Sequence, residues 1–402
     1  MKKIKLEIFF ILVSCVVTYV TPHSSFGFKS GADFLCLKPE KYLKGKRIGI
    51  LSQQASIVKV HEKYEQLVDA LYHLSKRKHA SFKIQAIFAP EYGFYGNKEA
   101  GAFVAGDKHP IIGCPIYSLH GKVRTPQAEM LQDLDLIVID LQDVGVRCYT
   151  YISTMVNTIE AACRANIPVL VLDRPNPIKN WGASDKYFDK NYRSFLAKIK
   201  IPFIHGMTIG DIAKKAAKKH KAKVHVISIR GNQQQALKYM SHFFVPPSPN
   251  LMSLQAVFCY PLTVALETTL YNEGRGTEKP FEMFGAPWVN GELLAKKLNE
   301  QHLPGIIFKP ITFTPKASMR AKKPRFIEQR CEGVVIKFTD KNIVKPMLTA
   351  QTIISILFAQ YPAYAQWRKT RKFHFVIDQM MAGPLWRIAI ESKVKELQRV
   401  KA

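Results

Sequence analysis

Two short stretches constrain the fold more than anything else in this 402-residue sequence. Leu136–Leu141 (LIVIDL) and Pro168–Leu172 (PVLVL) are almost wholly apolar, without polar alternation. A strand with one wet face alternates. A strand covered on both faces does not, and such runs belong to parallel sheets sandwiched between helices. Their neighbours supply the other elements. Arg47–Leu51 (RIGIL) and Lys83–Phe88 read as strands, and so does Lys223–Ile229 (KVHVISI). Glu62–Leu74 reads as a helix, with Leu67, Val68, Leu71 and Leu74 on one face; Tyr151–Ala165 and Ile209–Lys221 read as two more. This strand–helix rhythm predicts an α/β fold, a Rossmann-like doubly wound parallel sheet.

The rhythm stops at FVPPSPN (244–250), a proline-rich crossover. Beyond it Ala256–Leu266 is apolar. Gly291–Asn299, Leu348–Gln360 and residues 384–398 read as helices, and Gly333–Thr339 (GVVIKFT) as a strand. The expected organisation is a Rossmann-like N-terminal domain over 28–250 and a smaller α+β C-terminal domain over 251–402 that completes a cleft.

Hydrophobic residues make up 47% and charged residues 22% of the chain, which excludes a disordered or collagen-like chain. Lys and Arg number 59 against 31 Asp and Glu, a net charge of +28. The basic residues are dispersed. Lys214–Lys219 lies on a predicted helix, as a solvated face, and 321–325 is a second run. There is no helix-turn-helix, zinc finger or aromatic RNP pattern, so no nucleic-acid partner is expected. An anionic envelope surface suits the charge better. Oligomeric state is not legible.

Residues 1–27 read as a signal peptide. Lys2, Lys3 and Lys5 precede an apolar run over 8–20, and Ser25-Phe26-Gly27 supplies small residues for cleavage. The run is short of the roughly 20 residues that span a bilayer. Export to the periplasm or medium is expected. Leu12-Val13-Ser14-Cys15 offers the alternative of a lipid anchor at Cys15. The remaining cysteines, Cys36, Cys114, Cys148, Cys163, Cys259 and Cys331, form no CxxC and lie at no zinc spacing from histidine. No metal site is expected from them.

In open parallel sheets, sites form at the carboxyl ends of the strands. No GxGxxG, P-loop, GxSxG or HExxH motif occurs there. Nicotinamide, flavin and nucleotide sites are therefore disfavoured, as is an α/β-hydrolase esterase. What gathers there is carboxylates, arginines, tyrosines and amides, a mixture suited to carbohydrate chemistry. A glycosidase needs one protonated carboxyl as general acid and a second carboxylate as base or nucleophile. Aromatic rings stack on sugar faces, and Asn and Gln bond hydroxyls. Glu91 ends a buried strand and reads as functional, against a plain capping role. Asp140, inside an apolar run, reads as structural. Asp143 with Arg147, and Asp173 with Arg174, read equally as site residues or as ion pairs. His205 reads equally as a site residue or a satisfied loop histidine. Glu273-Gly274-Arg275-Gly276-Thr277 has glycines on both sides of Arg275, which permits close backbone approach to a ligand.

These loops add up to a family. APEYGFYG (89–96), DLQDVGVRCYTYISTM (140–155), LDRPNPI (172–178), HGMTIGD (205–211), VPPSPN (245–250) and EGRGTEKPFE (273–282) stand in one order. Over residues 30–361 the chain resembles the exo-β-N-acetylmuramidases of the NamZ type. The resemblance implies exo-acting hydrolysis of the β-1,4 bond joining a non-reducing terminal N-acetylmuramic acid to N-acetylglucosamine. The substrates would be peptidoglycan fragments met in cell-wall turnover, and no cofactor is implied. Carried onto this sequence, Glu91 becomes the general acid or key catalytic carboxylate. Glu273 becomes its partner, with Asp143 as competitor. Arg147, Arg174 and Arg275 become candidates for the lactyl carboxylate of muramic acid, which a bidentate guanidinium reads well. His205, Asn176 and Asn250 become hydroxyl or acetamido contacts, and Tyr92 and Tyr151 sugar-facing rings.

Three positions depart from the family pattern. Tyr92 stands where His is usual after the glutamate, Tyr95 where Arg is common, and Ser184 where an acid is usual. A tyrosine can bond a carboxylate but cannot become cationic near neutral pH. A muropeptide- or sugar-binding envelope protein that has lost catalysis is therefore the alternative expectation.

Overall fold

The two apolar runs become adjacent strands in the middle of a seven-stranded sheet. The computed structural model describes residues 27–60, 63–78, 81–97, 107–184, 187–370 and 374–399. Apart from Gly27, the expected signal peptide lies outside the described residues, and so does Cys15. The strands, in chain order, are β1 (Arg47–Leu51), β2 (Ile57–Val60), β3 (Lys63–Gln66), β4 (Lys83–Ala89), β5 (Asp107–Lys108), β6 (Pro115–Ser118), β7 (Leu136–Ile139), β8 (Val169–Leu172) and β9 (Val224–Ile227). The large sheet runs β5-β6-β4-β1-β7-β8-β9. All its pairings are parallel except β5 with β6 at one edge. From β1 the chain winds outward to β6, then returns to start again at β7. The switch point therefore lies between β1 and β7, where doubly wound sheets gather their ligands.

Successive side chains of β7 enter different cores. Leu136 and Val138 pack with Leu35 and Leu71 on one face, while Ile137 and Ile139 pack with Ile152, Ile159 and Ile212 on the other. With no wet face, no position in β7 has use for a polar side chain. The first face is covered by helices Gly31–Leu37 and Leu67–Ser75, the second by Tyr151–Arg164 and Ile209–His220. Ser30 with Asp33, and Thr208 with Asp211, close reciprocal capping boxes at two helix starts. Asp173, just past β8, accepts from Gly210 N at 2.8 Å and Thr208 Oγ1 at 3.0 Å. A carboxylate thus sits at a helix N-terminus and fastens that helix to the sheet.

The second half holds an antiparallel sheet, β10 (Met283–Ala286), β11 (Ile306–Phe313) and β12 (Cys331–Phe338), in the order β10-β12-β11. Helices Gly291–Asn299, Pro346–Gln360 and Leu385–Arg399 accompany it. The core on the second face of the large sheet continues without a break through Tyr260 and Leu262 to Phe284, Val334 and Ile353. Close approach requires glycine here. Gly285 and Gly333 stand opposite each other in register. A Cβ on Gly333 would lie 2.0 Å from the Phe284 carbonyl oxygen, and one on Gly285 would lie 2.1 Å from that of Glu332.

The sequence reading differs from the structure in one place of substance. The helix expected from residue 62 begins at Leu67, because Lys63–Gln66 pairs with Ile57–Val60 as a hairpin. Burial of Val58 and the ladder from Ile57 to Gln66 outweigh local helix propensity. The short strand β6 and the helices over 31–43 carried no signal that was read. Among the described residues the six cysteines are free, and no helix is long and apolar enough to cross a membrane.

Gly333→Ala is expected to destabilise the fold by about 1–3 kcal/mol through overpacking. A guanidinium denaturation curve should show a lower midpoint with an unchanged slope.

Candidate active site

Past β4 the chain reverses sharply. Tyr92 and Gly93 both adopt positive φ, 74° and 77°. Glycine does this freely, but a tyrosine there stores about 1–3 kcal/mol of backbone strain. The turn seats Glu91 in a buried position. Its Oε2 accepts a hydrogen bond from Thr150 Oγ1 at 2.7 Å, and its Oε1 lies 3.6 Å from His120 Nε2. Thr150 immediately precedes the helix Tyr151–Arg164, and His120 follows β6. Loops from the ends of three strands therefore meet at one carboxyl group.

The crossover segment straps this meeting point. Tyr149 and Tyr151 both donate their hydroxyls to the Pro247 carbonyl, at 2.9 and 2.7 Å, and Gln54 Nε2 donates to that of Pro246 at 2.7 Å. Behind the strap the second half contributes Glu267 and Arg275. Together these enclose a chamber of ≈190 Å³ lined by Glu91, Tyr92, Thr150, Ser248, Glu267 and Arg275, with Tyr149, Tyr260 and Phe281 among its walls.

The chamber has a defined charge layout. Arg275 Nε lies 3.1 Å from Glu267 Oε1 and 2.9 Å from Glu273 Oε1, and its terminal nitrogen also meets Glu267. Arg325 takes the other oxygen of Glu273 at 2.7 Å and donates to the carbonyls of Tyr271 and Glu267. Burial opposes the charge of Arg275, but Glu267 and Glu273 outweigh it and hold the guanidinium firmly protonated. Burial also pushes the Tyr92 phenol far above the usual tyrosine value, and Glu91 adds to this. Tyr92 is therefore an O–H group at any working pH.

The sequence-predicted residues fall into separate places. Glu91, Tyr92 and Arg275 line the chamber. Glu273 does not; it holds Arg275 and Arg325. Tyr151 is fully buried and shapes the wall through its bond to the strap. Asp143 bonds His205 Nε2 at 3.0 Å and Gly145 N at 2.7 Å, beside a separate cavity of ≈30 Å³ that Arg174 also lines. Arg174 forms a two-pronged pair with Asp140, at 2.5 and 2.7 Å. Neither adjacent pairing forms: Arg147 does not meet Asp143, and the Arg174 guanidinium turns to Asp140 rather than Asp173. Arg147 donates to the carbonyls of Ile201 and Met380 between the rings of Phe188 and Phe203, and burial pushes it down to about 10. Asn176 Oδ1 accepts from Ile178 N within its own turn, and its Nδ2 donates to Met207 O in the loop before Ile209–His220. Asn250 bonds Arg320 O and lines a cavity of ≈560 Å³ across the Gly276–Thr277 backbone. Of the departures, Tyr95 is exposed and Ser184 bonds the Ile204 backbone; neither lines the chamber.

Family comparison now has geometry to attach to. Family models for the N-terminal and C-terminal parts of exo-β-N-acetylmuramidase NamZ match residues 48–255 and 258–402. The chain belongs to the NamZ family. It is 35% identical over 361 residues to the peptidoglycan β-N-acetylmuramidase NamZ of Bacillus subtilis (strain 168), covering 89% of this chain and 83% of that relative. Two crystal structures of DUF1343 family proteins from Bacteroides fragilis are similar throughout. One has a TM-score of 0.80 at 30% identity over 94% of each chain. The other has a TM-score of 0.69 at 27% identity, over 92% of this chain and 93% of its own. Within this NamZ-family chain, Glu91 comes from the N-terminal match, and Glu267 and Arg275 from the C-terminal one. The chamber thus exists only where the two matched regions meet.

Sequence reasoning assigned no role to Glu267, Thr150 or His120. For Glu267 the available signal is a second carboxylate eight residues before Arg275. His120 follows a short, half-exposed strand without an apolar run, so nothing marked it.

The Asp140–Arg174 pair is expected to be structural. Asp140→Ala leaves the buried guanidinium without its partner and should cost about 3–5 kcal/mol. Urea unfolding measures this directly.

Proposed function

We propose that this chain is an exo-acting glycoside hydrolase. It releases non-reducing terminal N-acetylmuramic acid from peptidoglycan fragments, MurNAc-β-1,4-GlcNAc, during cell-wall turnover. One observation carries the reading beyond family membership. One chamber, with walls from both halves of the chain, holds two carboxyl groups in unlike surroundings. Glu91 meets a hydroxyl and an imidazole, and Glu267 is ion-paired with a guanidinium. Unlike environments are what separate a general acid from its partner carboxylate. We assign Glu91 as the acid that protonates the leaving oxygen and Glu267 as the base or nucleophile. Glu273 keeps Arg275 in place.

Membership of the exo-β-N-acetylmuramidase family supports exo action. Arg275 is the guanidinium in the chamber and is our candidate for the lactyl carboxylate, for which it would exchange contacts with Glu267. Arg147 and Arg174 are engaged elsewhere. The basic amino-terminal segment and the charge of +28 support export and contact with an anionic envelope surface. Tyr92 supports a second reading, in which the cleft binds muropeptides without cleaving them.

The mature chain should release the aryl group from a synthetic aryl β-N-acetylmuraminide and leave the matching N-acetylglucosaminide intact. Glu91→Gln should lower kcat by about 10²–10⁴-fold, the usual weight of general acid catalysis, while sugar binding persists. No release from either substrate, with muramic acid still bound in calorimetry, would establish the binding protein instead. Unchanged turnover in Glu91→Gln would remove that residue from the mechanism.

A further inference from the structure

We propose that His120 is a positioning residue for Glu91, acting as a neutral imidazole whose Nε2–H steadies the carboxylate formed when Glu91 gives up its proton. The inference rests on the assignment of Glu91 as general acid.

Four observations point to it. His120 is buried, 8% exposed, with Nε2 3.6 Å from Glu91 Oε1. The other oxygen of Glu91 is already held by Thr150, so the imidazole faces the oxygen that lacks that hydroxyl. The His120 backbone N–H bonds Ser118 Oγ and its ring lies against Phe195, which fixes the loop. Its Nδ1 has no hydrogen-bond partner among the described residues. That last point decides the protonation state. In the neutral Nε2–H tautomer, Nδ1 is a bare acceptor. An imidazolium would bury an N–H without an acceptor as well as a charge.

The charged groups facing the ring are Glu91, from the loop after β4, and Arg124, from its own loop. Burial is the largest influence and disfavours the imidazolium. Arg124 acts in the same direction and Glu91 against both, and the outcome lies below the ordinary histidine value of 6.5. His120 is therefore neutral near neutral pH.

The chemistry follows from the proton count. Glu91 transfers its proton to the glycosidic oxygen as the C–O bond breaks, and becomes a carboxylate. His120 keeps its proton throughout. Its Nε2–H contact changes from a weak interaction with a neutral acid to a charge-assisted hydrogen bond, as does that of Thr150. An interaction that strengthens only in the transition state raises kcat and leaves KM alone. The 3.6 Å separation should close in the sugar complex, as apo catalytic contacts do.

The test compares kcat and KM for the mature chain, His120→Phe and His120→Gln on the aryl muraminide. Phe keeps the bulk without the donor, and should lower kcat roughly 10–10²-fold with KM nearly unchanged, the weight of one hydrogen bond to a charge. Gln restores an N–H near the Nε2 position and should recover much of kcat. Wild-type kcat in His120→Phe, or a kcat in His120→Gln no higher than in His120→Phe, would overturn the proposal. An NMR titration of the His120 ring is read beside these. In Glu91→Gln the ring should titrate lower than in wild type, since the carboxylate that favours the imidazolium is gone. An identical titration in both would overturn the coupling even if no muraminide were cleaved. Absence of turnover alone would instead count against the hydrolase reading.

Discussion

A strand buried on both faces has no place for an uncompensated charge, and the rest of this molecule is arranged around that prohibition. β7 obeys it along its length and then ends at Asp140, which is fully buried. The carboxylate persists because Arg174, from the end of the neighbouring strand β8, meets it with two nitrogens and also donates to Ile57 O. That pair ties the two central strands and the hairpin β2–β3 together at the sheet edge. Only beyond it does the chain become polar, and only there do the loops carry chemistry. Pairs of this kind seldom add net stability over an apolar alternative, but removing either partner is costly. The same residues that make the sheet possible thus fix where its loops begin.

The chamber applies related physics in a different balance. Glu267, Arg275, Glu273 and Arg325 alternate in sign through the second half, each carboxylate touching one or two guanidiniums. Glu91 belongs to the other half, where hydroxyl and imidazole groups surround it. Neither half alone sets one carboxyl against the other. The unbroken apolar core beneath them keeps the two halves in register.

The fold was legible because the apolar runs speak for themselves. RIGIL, LIVIDL and PVLVL became β1, β7 and β8, and Gly291–Asn299 formed the helix its pattern predicts. Less was legible where elements are short or partners are distant. The β2–β3 hairpin depends on Ile57 finding Gln66, which no local pattern announces. At the site, Glu91 could be read because it ends a buried strand. Glu267 lies in the 3-10 turn Val264–Thr268 that closes an apolar run, and only the fold brings it onto Arg275. Arg325 ends the second basic run, 321–325, where nothing local marks it as the partner of Glu273, against which it is partly buried. Arg147 stood between site and structure on spacing alone. Only the fold reveals that its partners are carbonyls of Ile201 and Met380, the latter from a helix more than two hundred residues away.

The strap over the chamber has a further consequence for selectivity. Prolines 246 and 247 bring carbonyl oxygens and no N–H, so at those two positions the strap can only accept. Tyr149 and Tyr151 each have a single hydroxyl proton, and both direct it to Pro247. On that wall the phenol oxygens retain lone pairs and have no proton left to offer. For a sugar bound as proposed, those two phenols offer acceptors to its hydroxyl or amide hydrogens, while Tyr92, Ser248 and Arg275 supply the donors for an anionic substituent. The chamber would thereby give its guest a direction before any group reacts.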